Sequence, residues 1–395
     1  MTGTEVWPTQ SVMSGACQRF AVSLLQALGV PFGQENVCIS PTSVYIALLM
    51  AQAGARGATA TEIGSALGLA DMAHSQVVDE YDKFRHLLYQ EPHFNAYDQG
   101  KPAEFTIANA LFSDIGLEVL PQYVSVCNNA FDAFVNQVNF ADPTAADVVN
   151  SWVSAKTNGK ITELVEPPLD SVKLILVNAV YFLNGWRNPF RDTLTKPQPF
   201  QLQDGTRIDV HMMRTYSHLD YFETDAFEVI KLPYADPRFS MSFYLPKLGQ
   251  PPAAILNHIS AGSSSQTFSE RYIELGLPRY TIKWRTELVP PLQKLGVRSL
   301  FSAANADLTG MAPQAELFIS KVLHQTYIRV DEEGTEAAAA TAMFAAPGSS
   351  PGMPKPLIFD RPFVAVLWHE PAATPLFITM VSKPDSVGTP TWIES

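Results

Sequence analysis

Eight histidines are the first residues to consider for metal or acid–base chemistry: His74, His86, His93, His211, His218, His258, His324 and His369. None falls in the His-Glu-x-x-His spacing that puts two imidazoles on one helical face beside a general base, so no metal site is expected. Nucleophilic hydrolysis would show as a Gly-x-Ser-x-Gly elbow, and nucleotide binding as a phosphate loop or a Gly-x-Gly-x-x-Gly turn; neither occurs. Asn158-Gly159-Lys160 lacks the upstream glycine and the following hydroxyl of a phosphate loop and reads as a turn. Ser263, Ser264 and Ser265 have no base beside them and read as loop. Glu332 and Glu333 form a carboxylate pair, but neighbours on an extended chain point to opposite faces, so a solvated strand end is expected there. Lys83, Arg85 and His86 form a small cationic patch that Asp79, Glu80 and Asp82 adjoin. The chain is therefore expected to have no catalytic residues and no cofactor.

The elements that would carry these residues fall into two groups. Cys17 to Leu28 places Phe20, Leu24, Leu25 and Leu28 on one helical face, and Gly29 and Pro31 stop it. A short β-prone run from Asn36 ends at Pro41, and helices are expected from Thr42 to about Ala53 and from about Thr61 to Leu67. The first part of the chain thus reads as mainly helical. Strand-like runs follow at Phe105–Phe112, Leu174–Phe182, Phe227–Leu232, Ser240–Tyr244 and Ile273–Ile282. Early helices and later strands predict an α+β fold. Without a Gly/Ser-rich linker or internal repeat, one domain over residues 1–395 is expected.

Composition narrows the function. The 395 residues are 46% hydrophobic, enough for a large core, which argues against global disorder. Charged residues make up 17%, with 27 Lys+Arg against 39 Asp+Glu and a net charge of −12. A nucleic-acid or anionic-membrane binder is normally basic, so neither partner is expected, nor is heparin. Cys17, Cys38 and Cys127 are an odd set with no Cys-x-x-Cys spacing, which excludes a fully paired disulfide framework. No stretch reaches the roughly 18 apolar residues of a membrane helix. The first twenty residues lack a basic start and an apolar core, so no secretory leader is visible, leaving either a cytoplasmic protein or one secreted as a mature form or by a leaderless route.

One segment departs from the rest. Gly334 to Pro356 reads GTEAAAATAMFAAPGSSPGMPKP, between strand-like flanks at Thr326–Val330 and Phe363–Trp368. Small residues grading into Pro and Gly cannot build a core, and a loop of this length is usually functional. Ala337, Ala338, Ala339, Ala340, Thr341 and Ala342 would suit a solvated helix, given the helix propensity of Ala. The same small side chains would also slide into a crowded sheet where large ones would clash.

The run Val330-Asp331-Glu332-Glu333-Gly334-Thr335-Glu336-Ala337-Ala338-Ala339-Ala340-Thr341 resembles the reactive-centre-loop hinge of an inhibitory serpin. Asn36-x3-Ser40-Pro41-x-Ser43, Asn178-Ala179-Val180-Tyr181-Phe182-x2-Gly185-Trp186-x2-Pro189-Phe190, Leu232-Pro233-Tyr234, Leu245-Pro246 and Arg361-Pro362-Phe363 fall in family order, so the resemblance covers nearly the whole chain. It implies an α+β serpin fold with three β-sheets, about eight or nine helices and an exposed reactive-centre loop over about residues 334–356. It also implies a monomer that is an inhibitor and not an enzyme. Ser40, Ser43, Asn178 and His324 match the cluster that governs opening of the main sheet, and Trp186 matches the aromatic where the loop first inserts. The implied mechanism is that of a suicide substrate, in which a serine protease is trapped as an acyl-enzyme while the loop enters the sheet.

Family spacing places the cut at Gly348-Ser349, although the 28 residues from Gly334 to Pro362 exceed the usual distance. Proline after the cut disfavours Ala346-Pro347, Ser350-Pro351 and Met353-Pro354, leaving Gly348-Ser349, Ser349-Ser350, Phe344-Ala345 and Ala345-Ala346. No Lys or Arg lies between Gly334 and Pro354, so a trypsin-like pocket finds no cation, and an elastase-like or subtilisin-like target is expected. A non-inhibitory carrier, chaperone or plain substrate is the alternative, as is cross-class inhibition of a cysteine protease. Thr379 stands where the family often has Gly, and only local repacking is expected from it.

Overall fold

The computed structural model describes residues 11–92, 102–170, 172–261, 268–313, 316–335 and 353–388. Helix α1 (Val12–Leu28) starts where Ser11 accepts a hydrogen bond from the Met13 amide at 3.2 Å. It stops at Gly29, whose φ of 72° is the left-handed conformation that glycine adopts without a Cβ penalty. Strand β1 (Val37–Ile39) leads into α2 (Pro41–Gly54), where Pro41 occupies the first turn and gives up only an amide that has no helical partner there. Helix α2 is buried almost all round, as its apolar run Val44–Met50 requires. Helices α3 (Gly57–Ala66), α4 (His74–Tyr89), α5 (Pro121–Phe131) and α6 (Ala145–Lys156) follow, with β2 (Glu104–Asp114) and β3 (Phe134–Val138) between them.

The remaining elements are mainly strands: β4 (Leu174–Gly185), β5 (Lys196–Gln201), β6 (Arg207–Glu223), β7 (Phe227–Pro233) and β8 (Phe239–Pro246). After α7 (Ala253–Ser260) come β9 (Ser269–Pro278), β10 (Tyr280–Glu287), α8 (Val289–Lys294) and β11 (Lys321–Val330). The last four are β12 (Gly334–Thr335), β13 (Lys355–Ile358), β14 (Phe363–His369) and β15 (Thr374–Val381). The run Ile273–Ile282 is two strands. Pro278 has no amide to continue a ladder, Arg279 donates its amide to His211 at 2.9 Å, and β9 and β10 end in different sheets.

One sheet runs β10-β11-β4-β2-β3, with β12 added to β4. The other runs β1-β15-β14-β8-β7-β6-β9-β13, with β5 added to β6. Hydrogen bonding among the described residues thus joins into two sheets what the resemblance counts as three. The cause is β6, which bonds β9 along Met212–Tyr221 on one side, and β5 and then β7 on the other. Strand β4 is buried on both faces, which is why it reads as an apolar run interrupted within Leu174–Leu183 only by Asn178. Leu174, Leu176, Val180 and Phe182 face the main core, whereas Ile175, Val177 and Ala179 face a second core under α6.

Candidate functional site

Strands β4 and β11 are sequence-distant neighbours that pair in parallel, with Lys321 to Thr326 in register with Ile175 to Val180. Pairing stops above Thr326 and Val180, and at the top of β4 the place beside it is taken by β12. Gly334 pairs antiparallel with Gly185, and Thr335 with Asn184. The two strands are therefore closed below and separated above by the two residues of β12.

Below the division lies a buried polar cluster. Asn178 is in register with His324 on one side and Asn109 on the other. The His324 Nδ1 lies 2.7 Å from the Asn178 Oδ1, and the Ser40 amide donates to His324 Nε2 at 3.0 Å. Because Nε2 accepts, the ring proton sits on Nδ1 and is donated to Asn178. Complete burial pushes the His324 pKa down to about 3, so the imidazole is neutral. Ser43 donates to the Asn178 Oδ1 at 2.6 Å and lies 2.9 Å from the Ser40 carbonyl, while Asn178 Nδ2 donates to Asn109 Oδ1 at 2.7 Å. Ser40, Ser43, Asn178 and His324, far apart in the chain, thus form one connected unit. Asn109 belongs to it as well, although its sequence context (Ile107-Ala108-Asn109-Ala110) carries no signal beyond a polar residue inside an apolar strand. The Ser40 hydroxyl and the Asn109 Nδ2 have no hydrogen-bond partner among the described residues.

The top of the sheet is held by the turn between β11 and β12. Trp186 is buried and stacks on Tyr234, with ring centroids 4.5 Å apart. Its indole donates to the Asp331 carbonyl at 3.0 Å and its amide to the Glu333 carbonyl at 2.8 Å. The Asp331 carboxylate accepts the Glu333 amide at 3.0 Å and the Gly334 amide at 3.3 Å, closing the turn. Glu332 is only 3% exposed, which corrects the expectation of a solvated strand end. Arg279 pairs with it at 2.5 Å, Thr195 donates to the same oxygen, and the Phe190 amide donates to its carbonyl at 2.8 Å. Burial, with Asp331 nearby, raises the Glu333 carboxyl above its ordinary range. Thr335 is 1% exposed and shares a 2.5 Å hydrogen bond with the Tyr234 hydroxyl. A Cβ at Gly334 would lie 2.3 Å from the Asn184 carbonyl oxygen, so only glycine fits this close approach.

Glu332, Glu333, Gly334 and Thr335 of the expected hinge are thus seated at this point. Glu336, Ala337, Ala338, Ala339, Ala340 and Thr341, with the expected cut at Gly348 and Ser349, lie outside the described residues. The cationic patch on α4 is neutralised locally, Lys83 by Glu80 at 2.7 Å and Arg85 by Asp82 at 3.9 Å. Thr379 is buried, with its hydroxyl 3.6 Å from the Cys38 sulfur.

Comparison with known proteins gives the same picture from outside the chain. A family model described as Serpin (serine protease inhibitor) matches residues 15–384. Leukocyte elastase inhibitor of Bos taurus is 34% identical over 388 residues, covering 94% of this chain and 99% of the relative. Iripin-2 of Ixodes ricinus is 33% identical over 387 residues, covering 95% and 94%. Among solved structures, Serpin48 of the insect Tenebrio molitor, described as a highly specific serpin, superposes with a TM-score of 0.82 at 25% identity, covering 94% of this chain and 98% of that one. The sheet order, with β12 set beside β4, and the match along nearly the whole length lead to one conclusion: this chain belongs to the serpin family of serine protease inhibitors.

Proposed function

We propose that this protein inhibits an elastase-like or subtilisin-like serine protease as a suicide substrate. The observation that carries the reading is the half-open position beside β4, with β12 already seated in it and the parallel β4–β11 pairing still intact below. The protease serine attacks the Gly348 carbonyl, the Ser349 amine leaves, and the chain up to Gly348 stays attached as an acyl-enzyme. Released from its C-terminal flank, the loop follows β12 down the sheet. It breaks one parallel ladder and forms two antiparallel ones, and antiparallel pairing is the more stable kind per residue.

The register that sets Gly334 on Gly185 and Thr335 on Asn184 brings Thr341 opposite Asn178 when continued. Thr335, Ala337, Ala339 and Thr341 then face the main core, and Ala at five of the six positions from Ala337 to Ala342 suits a crowded site. In this reading Ser40, Ser43, Asn178, His324 and Asn109 form a latch, and the spare Ser40 hydroxyl is available to the incoming strand. A strand of about 15 residues that gains a net hydrogen bond of about 1 kcal/mol at many positions releases on the order of 10 kcal/mol. At about 3.3 Å per residue it carries the protease about 50 Å. The elastase in the names of the mammalian relatives agrees with the small residues near the cut.

The test is to mix the protein with leukocyte elastase and with subtilisin, run denaturing gels, and weigh the released C-terminal fragment. The expected result is a denaturant-stable complex with at least one of them and a fragment beginning at Ser349. Cleavage of the loop by both proteases with no complex overturns the reading.

A further inference from the structure

We propose that the groove between α4 and α5 is a binding site for a small aromatic amine, held by ring contact with Tyr89 and Phe131 and by an ion pair with Asp132. The inference stands apart from the inhibitory reading, because it uses no residue of the loop or of the strands that the loop separates. The groove has a volume of about 350 Å³. Helical spacing builds one wall: Asp82, Arg85 and Tyr89 of α4 fall at i, i+3 and i+7, with His86 beside them, and so share one face. The other wall is the last turn of α5, where Asn128 and Phe131 are three residues apart, followed by the capping residue Asp132.

Both walls are fixed from behind. Phe131 stacks on Tyr81 with ring centroids 4.7 Å apart, and Tyr89 stacks on Phe105 at 6.5 Å. Tyr89 nevertheless remains 46% exposed, so a ligand can reach its ring. Arg85 bridges the two helices: it donates to the Asn129 carbonyl at 3.2 Å and lies 3.9 Å from Asp82, so this cation is already engaged within the protein. Asp132 differs. Its φ of 47° puts it in the left-handed conformation that closes α5, and its carboxylate has no hydrogen-bond or ion-pair partner among the described residues.

The lining selects the ligand. Two carboxylates, Asp82 and Asp132, stand against the one guanidinium of Arg85, so the groove attracts a cation and repels the anions that a basic helix face would collect. With Arg85 engaged, Asp132 is the charge open to a ligand, and an ammonium group is its hydrogen-bonding counterpart. A flat ring attached to that ammonium lies against Tyr89 and Phe131 in the offset or edge-on contacts that aromatic pairs prefer, and the cation is itself attracted by the ring faces. The Asn128 and Gln90 amides supply neutral donors and acceptors but no second charge, which suits an uncharged polar group such as an indole N–H at the ligand's other end. The volume is near the small end of the range that holds organic ligands, about 300 Å³ and upward. For a ligand of about twelve non-hydrogen atoms, a dissociation constant of about 0.1–1 mM is expected.

The experiment titrates the full-length protein with tryptamine and with indole-3-propionate, which has a similar ring and chain but the opposite charge, and follows binding by calorimetry and by the ligand's NMR signals. Tryptamine is expected to bind saturably at about 0.1–1 mM, and indole-3-propionate at least about tenfold more weakly. Asp132→Asn keeps the shape of the side chain, and Asn is at ease in the left-handed conformation, so the cap is retained while the charge is lost. That variant and Tyr89→Ala should each weaken tryptamine about tenfold, with an unchanged unfolding temperature of Asp132→Asn as the check that the fold is kept. Asp147→Asn removes the same charge from an exposed position on α6 that does not line the groove, and should leave the affinity within about twofold. Absence of saturable binding, equal binding of the amine and the acid, or wild-type affinity in Asp132→Asn or Tyr89→Ala overturns the site. An equal loss in Asp147→Asn also overturns it, because the amine would then be responding to the net charge of the chain.

Discussion

Thr335→Arg separates insertion from every other property of the loop. The threonine hydroxyl meets Tyr234 at 2.5 Å in a place that is 1% exposed, against the backbone of Asn184. An arginine there would bury a guanidinium and leave the Tyr234 hydroxyl, itself fully buried, without its hydroxyl partner. The lost hydrogen bond alone costs about 1–3 kcal/mol, and an unpaired buried charge costs several kcal/mol before the long side chain finds a route to water. The starting state escapes this cost by releasing only the two residues of β12, whereas the inserted state must pass Thr335 through the same place. Taking about 3 kcal/mol as the part felt at the insertion barrier slows insertion about 150-fold. A wild-type partition of about ten to one for trapping would become about fifteen to one for hydrolysis. The assay is a titration of protease activity against inhibitor, with denaturing gels to count complex and cleaved chains. Thr335→Val, which removes the hydroxyl without adding charge, should lie between the two. If Thr335→Arg trapped protease with wild-type stoichiometry, insertion through this position would be refuted.

Two further outcomes follow from the same geometry. Gly334→Ala should free β12 without any charge, because its Cβ would stand 2.3 Å from the Asn184 carbonyl oxygen and 2.6 Å from the Gly185 Cα, both backbone atoms that cannot rotate away. Faster amide exchange at Asn184–Trp186 and a raised stoichiometry are expected; wild-type protection would contradict the close approach. Acid should destabilise the protein before its carboxylates titrate. Burial lowers the pKa of both His324 and His369 to about 3, below the unfolded value of about 6.5, so the unfolded chain takes up protons first as pH falls. Stability is then complete above about pH 6.5 and declines by about 1.4 kcal/mol per pH unit for each histidine, or about 4 kcal/mol for the pair at about pH 5. Denaturant midpoints at about pH 7 and about pH 5 measure this, and His369→Phe should reduce the slope, since that ring sits among Phe105 and Phe239. A midpoint independent of pH would show that the two rings are not held neutral.

Much of the local structure was legible in the chain because it depends on neighbours a few residues away. Gly29 ends α1, Pro41 opens α2, the apolar run Leu174–Leu183 of β4, interrupted only by Asn178, announces burial on both faces, and the small residues after Gly334 mark a segment able to enter a sheet. Order along the chain was also enough for the family resemblance. Tertiary structure alone decided the rest. It split Ile273–Ile282 between two sheets, with β9 pairing β6 as far as Pro278 and β10 pairing β11 from Tyr280 onward. It buried Glu332, which a reading of adjacent residues leaves in solvent, because its partners Arg279 and Thr195 arrive from connections far away in the chain. It added Asn109 to the Asn178 cluster and Tyr234 to Thr335, contacts 69 and 101 residues apart. Side-chain periodicity records which face a residue turns inward; which atoms meet it there depends on strand order and register, and in a sheet built from sequence-distant strands those exist only after the chain has folded.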